Sequence, residues 1–418
     1  MKRRTYLSVA AAGLAGCLDH DRIGRADDRV DGATNTSSTI QSTDDPGESD
    51  TPGEGNEDGD PRDDGRSLVH GDPFDDFDDL SPWTVLDGSL DDAPRGARLD
   101  ADTTDERVWI RRTLSEPLDC SNVVPGLILS TGDSVVPRIQ LFDGDENRAD
   151  FRRGINGDRR PLRYSFGLET VTGSVDLSDV AEIRIALWVG DRARTMHVDE
   201  LFFVPRRSTG TVTIQFDDGY ATDYTEAVPI LDRYGYVATS FVNPTTIGGD
   251  GRLGLERCSR LADAGWTIGS HRYSHRRLKD LSADEQVTEI ADAHQWLVDH
   301  GFEDGARYFA YPFGEWTDRT LDIVDEYHDL AFWSGRGVGG APVEPLLCPR
   351  VGEPSAETAV DLLDRAARWG GHVGLFYHEL TDQQRTDFER TIEHLHRLES
   401  AGRIDVVTPA DLAERVLQ

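Results

Sequence analysis

Two adjacent carboxylates, Asp217 and Asp218, close the stretch TVTIQFDDGY over 211–220. Like charges side by side repel, so in a closed site one of them is neutralised by a proton, a cation or a metal. An Asp-Asp-Gly surface turn in an acidic chain would make no such demand. Downstream, SHRYSHRRL supplies His271 and His275. The i, i+4 spacing predicts both imidazoles on one side of a helical turn, which suits one metal ion. A carboxylate from another strand end completes a two-histidine, one-carboxylate set with positions open for water and substrate. Two further stretches carry reactive or rigid groups. FAYPFG over 309–314 is an aromatic turn whose backbone Pro312 and Gly314 fix, and LFYH over 375–378 ends in a single histidine, His378.

These groups need a frame. From residue 208 onward, apolar alternation predicts strands over 211–216, 238–242, 266–270, 308–310, 330–333, 372–377 and 404–407. Helical periodicity between them predicts helices over 222–234, 255–264, 283–300, 318–327, 356–369 and 382–401. Such alternation is that of an α/β parallel sheet closed into a barrel-like form, with chemistry at the C-terminal strand ends. Residues 73–207 read differently. Short alternating runs over 107–114, 124–129, 136–142, 183–189 and 196–204, separated by Asp-Gly and Gly-Asp turns, predict an all-β sandwich. It would serve as a carbohydrate-binding module or a spacer. Trp83, Trp109 and Trp188 are its candidates for sugar contact, each also a candidate for its core.

The N-terminus reads MKRRTYLSVAAAGLAGC. Arg3-Arg4 before a short apolar run resembles a twin-arginine export signal, and Leu14-Ala15-Gly16-Cys17 matches a lipobox in which the cysteine is lipidated. The run is too short to span a bilayer. Residues 1–17 are therefore expected to be an export signal, with a lipid anchor at Cys17 on the outer face of the cell membrane. Residues 18–72 are rich in Asp, Gly, Ser, Thr and Pro and are expected to be a disordered tether.

Net charge is −34, from 78 acidic against 44 basic residues. That balance argues against nucleic acid as a partner, which needs a basic face. Acidity spread through every segment, with Lys nearly absent, fits a salt-adapted surface. Apart from Cys17 there are three cysteines, Cys120, Cys258 and Cys348. The spacing leaves a Cys258–Cys348 bridge within one domain open, and no C-x-x-C pair suggests a thiolate metal site.

In this order and at this spacing, TVTIQFDDGY, GSHRYSHRRL, FAYPFGEW, LLCPRVGE and LFYHEL resemble the successive motifs of the polysaccharide deacetylases, the NodB-homology family of carbohydrate esterases. The resemblance spans about half of the chain. It implies a distorted (β/α)7 barrel over 208–418. The stretch VDLSDVAEIRIALWVGDRARTMHVDELFFVP over 175–205, which ends the preceding sandwich, separately resembles the jelly-roll modules that often accompany polysaccharide-active enzymes. It implies that Asp218, His271 and His275 bind a divalent metal, usually zinc. Asp217 becomes the general base that activates water, and His378 the general acid for the leaving amine. The Phe313 backbone N–H becomes an oxyanion donor. Arg272 stands where the family often has Ser or Thr, and Ala310 where it often has Arg, as in the subgroup acting on poly-N-acetylglucosamine-type exopolysaccharides. Arg350 is then expected to supply the charge that orients Asp217. Trp316 and Trp333 are both candidates for an aromatic wall. The expected activity is metal-dependent N-deacetylation of an extracellular acetylated polysaccharide. The alternatives are an O-acetyl polysaccharide esterase and a catalytically inactive glycan-binding lipoprotein.

Overall fold

The first barrel strand, Gly210–Asp217, is buried at every position, as a strand covered on both faces must be. It pairs in parallel with His372–Tyr377 along one edge. Its other edge is shared. The C-terminal half pairs with Thr239–Val242 through Gln215 opposite Thr239, while the N-terminal half pairs with Ile404–Val406 through Gly210 opposite Ile404. Thr267–Ser270, Tyr308–Ala310, Leu330–Ser334 and Cys348–Gly352 follow in order, all parallel, and the last joins His372–Tyr377. Seven parallel strands thus close a ring, and Ile404–Val406 wedges in where the first and second strands part. This is the distorted (β/α)7 barrel. The computed structural model describes residues 73–155, 157, 160–190, 192–334, 339–340 and 342–416. The export signal expected over 1–17, with Cys17, and the tether expected over 18–72 lie outside them.

Local chemistry sets the helix ends. Ala356–Trp369 opens at Ser355, whose hydroxyl accepts from the Thr358 N–H, and buries Ala359, Leu362, Leu363 and Ala366 on one stripe. It stops at Gly370, φ 67°, where a Cβ would strike the Arg207 carbonyl. Ala283–Asp299 starts from a Ser282–Glu285 capping box.

The element expectations need three corrections, and the question of a Cys258–Cys348 bridge is answered. The helix expected over 222–234 is broken into a π turn at Asp223–Ala227, a short α-helix at Val228–Leu231 and a 3-10 turn at Asp232–Tyr234. Pro229 withholds an N–H inside it. The strand Cys348–Gly352 was not anticipated because Pro349 removes a ladder donor and reads as a strand breaker. The closing helix Pro409–Val416 was also not anticipated. Finally, Cys258 and Cys348 form no bridge: they and Cys120 are free, buried thiols. Cys258 sits in one apolar cluster and Cys348 in another. Burial pushes each of the three thiols up to about 12.

The preceding region forms two antiparallel sheets. One has the order Trp83–Asp87, Arg107–Leu118, Val180–Trp188, Arg138–Asp143, Arg148–Arg152, Gly167–Thr172; the other runs Ser89–Asp92, Ala97–Ala101, Arg194–Pro205, Val123–Thr131, Leu162–Ser165. Their inward residues share one apolar core. Trp83 belongs to that core, stacked on Phe77 with its Nε1 donating to Asp75 at 2.8 Å.

Candidate active site

The rim at the C-terminal strand ends gathers the expected groups. Asp217 is the last residue of the first strand, and Asp218 follows it with a left-handed backbone, φ 70°. Arg350, from the strand the sequence hid, is buried and grips Asp217 bidentately, with Nη1 and Nη2 each 2.7 Å from one carboxylate oxygen. Its Nη1 also donates to Gln215 Oε1 at 3.2 Å. Burial alone would push the Asp217 carboxyl up. The Arg350 charge, then His271, outweighs it and holds the carboxyl below its ordinary range.

His271 and His275 are not on a helical turn. The segment after Thr267–Ser270 is an irregular loop in which Arg272 and His275 take left-handed backbones, φ 59° and 45°. The loop is held from outside. Asn243 Nδ2 donates to the His271 carbonyl at 2.5 Å, and Glu289 accepts from the Ser274 N–H at 2.8 Å and from its hydroxyl. The two rings still converge, with centroids 5.8 Å apart. His271 Nδ1 lies 2.8 Å from the Ala310 carbonyl. That bond places the ring proton on Nδ1 and turns the Nε2 lone pair toward the carboxylates. His271 Nε2 is 3.7 Å, and His275 Nε2 3.1 Å, from Asp218 Oδ1. One ligand atom each from Asp218, His271 and His275 lies within 4.8 Å of the others. Asp218 Oδ1 is buried and accepts no well-formed hydrogen bond among the described residues. A buried oxygen left facing two imidazole nitrogens fits a divalent cation, and these three residues would hold it. Burial opposes the ionised Asp218, but His275 and then His271 keep its carboxyl far below the usual range. Burial draws His271 down to about 4, which keeps the ring neutral.

His378 stands just past His372–Tyr377, its Nδ1 3.1 Å from Glu353 Oε1. Burial lowers its affinity for a proton. The Glu353 hydrogen bond and then the Asp217 charge more than restore it, so its pKa is raised. Glu353 also accepts from Gln384 at 3.1 Å. Sequence reasoning passed over Glu353 because one more acid in an acidic chain carries no signal.

Phe313, φ 60°, presents its ring to His275 with centroids 4.8 Å apart, and Arg277 covers that ring at 4.2 Å. Arg272 is fully buried, 5.7 Å from the Phe313 ring, with no hydrogen-bond partner for its guanidinium among the described residues. Of the two expected wall aromatics, Trp333 is core, its Nε1 bonded to the Leu347 carbonyl at 3.0 Å. Trp316 is half-buried against the same core. One further signal is backbone strain. Seven described non-glycine residues have positive φ, and five of them, Asp218, Arg272, His275, Phe313 and Glu353, lie at this rim. Such conformations cost energy and concentrate where function fixes a side chain.

Comparison with known proteins places the site in context. Residues 205–328 match the polysaccharide deacetylase family. That span includes Asp217, Asp218, His271, His275 and Phe313 and stops short of Arg350, Glu353 and His378. The protein YxkH of Bacillus subtilis (strain 168), assigned by name to the polysaccharide deacetylases, is 35% identical over 115 residues, 28% of this chain and 41% of that protein. The peptidoglycan-N-acetylmuramic acid deacetylase PdaA of the same organism is 23% identical over 137 residues, 32% of this chain and 51% of PdaA. The chain spans about half the length of the curated relatives it matches. Among solved structures, the Streptococcus pyogenes deacetylase PplD aligns with 27% identity and a TM-score of 0.32, covering 33% of this chain and 62% of PplD.

Proposed function

We propose that this protein is a metal-dependent hydrolase that removes N-acetyl groups from an extracellular or cell-surface polysaccharide. The observation that carries the reading is the convergence, on one barrel rim, of the Asp218–His271–His275 set with two differently tuned acid–base pairs, Asp217–Arg350 and His378–Glu353. A bound divalent cation, for which zinc is the proposed metal, would supply Lewis acidity toward the acyl oxygen and acidify water. Asp217, kept ionised by Arg350, takes the proton from the attacking water. His378, kept protonated by Glu353, gives a proton to the leaving nitrogen, which amide cleavage needs because an amide anion leaves poorly. The Phe313 N–H is the proposed donor to the oxyanion. Separating base from acid by environment is how two groups hold opposite protonation states at one pH.

Glu353→Gln tests the acid assignment. It removes an upward pull on His378, so the protonated form is lost at lower pH. The alkaline limb of the kcat/KM profile is expected to move down by about one pH unit. An unmoved limb would separate His378 from the proton transfer.

The reading includes export and anchoring at Cys17, supported by Arg3-Arg4 and the lipobox over 14–17. In cells fed a labelled lipid precursor, the parent protein is expected to carry label and sediment with membranes. Cys17→Ser is expected to lose both; an unlabelled, soluble parent would remove the anchor.

Activity itself is tested by acetate release from matched N-acetylated and O-acetylated glycans with defined metals in high salt. Release from the N-acetylated glycan supports the proposal. Release from O-acetylated glycan alone would replace it with an esterase, and no release from either would leave a glycan-binding protein.

A further inference from the structure

Asp218 holds a left-handed backbone, φ 70°, which a residue with a side chain keeps only where its surroundings hold it. One holder lies 34 residues further along the chain: Arg252 Nη1 donates to the Asp218 carbonyl at 2.9 Å. The same nitrogen lies 4.0 Å from Asp218 Oδ2, an ion pair longer than a hydrogen bond. One guanidinium thus engages both the backbone and the side chain of Asp218. The other carboxylate oxygen, Oδ1, is the one that faces His271 and His275.

Arg252 is itself fixed in place. Its guanidinium carbon lies 3.7 Å from the centroid of the Tyr220 ring, so the ring sets the plane of the fork. Tyr220 and Arg252 stand opposite each other in an isolated antiparallel bridge. On either side of it, the Leu253 N–H donates to the Gly219 carbonyl and the Ala221 N–H to the Gly251 carbonyl, each at 2.8 Å. The Gly248 N–H closes the segment by donating to the Leu253 carbonyl at 2.8 Å. In sequence the arginine sits in GGDGRLG over 248–254, which reads as plain loop.

We propose that Arg252 is a positioning residue for Asp218. It holds the left-handed backbone through the carbonyl and engages Oδ2, leaving Oδ1 as the oxygen presented beside the two imidazoles. This role rests on the metal-binding reading of Asp218, His271 and His275. Groups that orient a metal ligand in this way are worth about 10–100-fold in metal affinity. Charge alone predicts the opposite sign. A guanidinium beside a cation site repels the cation, so its removal would tighten metal binding if repulsion were all it contributed.

Competition titration of the whole protein with Co2+, well below its thermal transition, tests the assignment. Arg252→Met keeps an unbranched stem against Tyr220 and loses the donor. It is expected to bind Co2+ about 10–100-fold more weakly than the parent. The visible d–d spectrum of its bound Co2+ is expected to differ from the parent's, because Oδ2 is released to join the oxygen ligands. Arg252→Lys, which restores a charged donor without the planar fork, is expected to recover part of the affinity. Equal or tighter Co2+ binding by Arg252→Met, or an unchanged spectrum, would overturn the positioning role and leave the metal site standing. So would an Arg252→Lys that binds no better than Arg252→Met. A parent that binds no Co2+ would overturn the metal reading and this role together.

Discussion

Asp217→Asn is expected to lower turnover by about 10²–10⁴-fold while leaving divalent metal binding in place. The two neighbouring carboxylates do different work. Asp218 Oδ1 is the atom left facing the imidazoles of His271 and His275. Asp217 has both oxygens committed to Arg350 and lies 3.8 Å from His271 Nε2. An amide in place of the Asp217 carboxylate keeps the shape but cannot accept a proton. It also removes the counter-charge of a buried guanidinium, so the thermal midpoint should fall; metal titration well below that transition separates the two effects. Loss of metal binding in Asp217→Asn, at a temperature where it is folded, would show that the carboxylate roles have been assigned the wrong way round.

Arg350→Met is expected to carry the largest cost to stability, about 3–5 kcal/mol, because it leaves a buried carboxylate without its partner. Asp217 is 2% exposed, so water cannot take over. The pH dependence has a definite sign. In the parent the Asp217 pKa is depressed, so its contribution is present above the unfolded pKa and lost as pH falls through the folded value. In the variant, burial acts without its main opponent and raises the folded pKa. The variant therefore loses stability as pH rises. The gap to the parent should be widest near neutral pH and narrow below about pH 4, where an ordinary aspartate protonates. Denaturant unfolding at several pH values measures this, and a gap independent of pH would contradict the account.

Much of the barrel could be read from the chain because its outer helices carry strong local signals. The helices over 318–327 and 356–369 were expected at the boundaries observed, where caps at Thr317 and Ser355 and an apolar stripe agree. The failures have local causes. Pro349 disguised the strand that delivers Arg350, although Arg350 itself could be singled out from its charge and motif. The spacing of His271 and His275 suggested a helix. The loop instead uses left-handed residues and anchors from Asn243 and Glu289, which are distant in sequence. Residue spacing cannot distinguish these two ways of bringing two rings together. Glu353 was hidden by composition. Arg272 stood out in the sequence as an odd residue beside a histidine, and the structure shows its guanidinium buried with no hydrogen-bond partner among the described residues. The three tryptophans of the two-sheet region divided by register: Trp83 faces inward, while Trp109 and Trp188 face out.

Acetate release followed alongside metal content tests the central claim most directly. Parent protein stripped with a chelator is expected to lose release of acetate from an N-acetylated glycan and to regain it with one equivalent of divalent metal. Asp218→Asn and His275→Ala are expected to bind no metal and to stay inactive at any metal concentration. Full acetate release from metal-stripped parent, or from either variant without bound metal, would contradict the account.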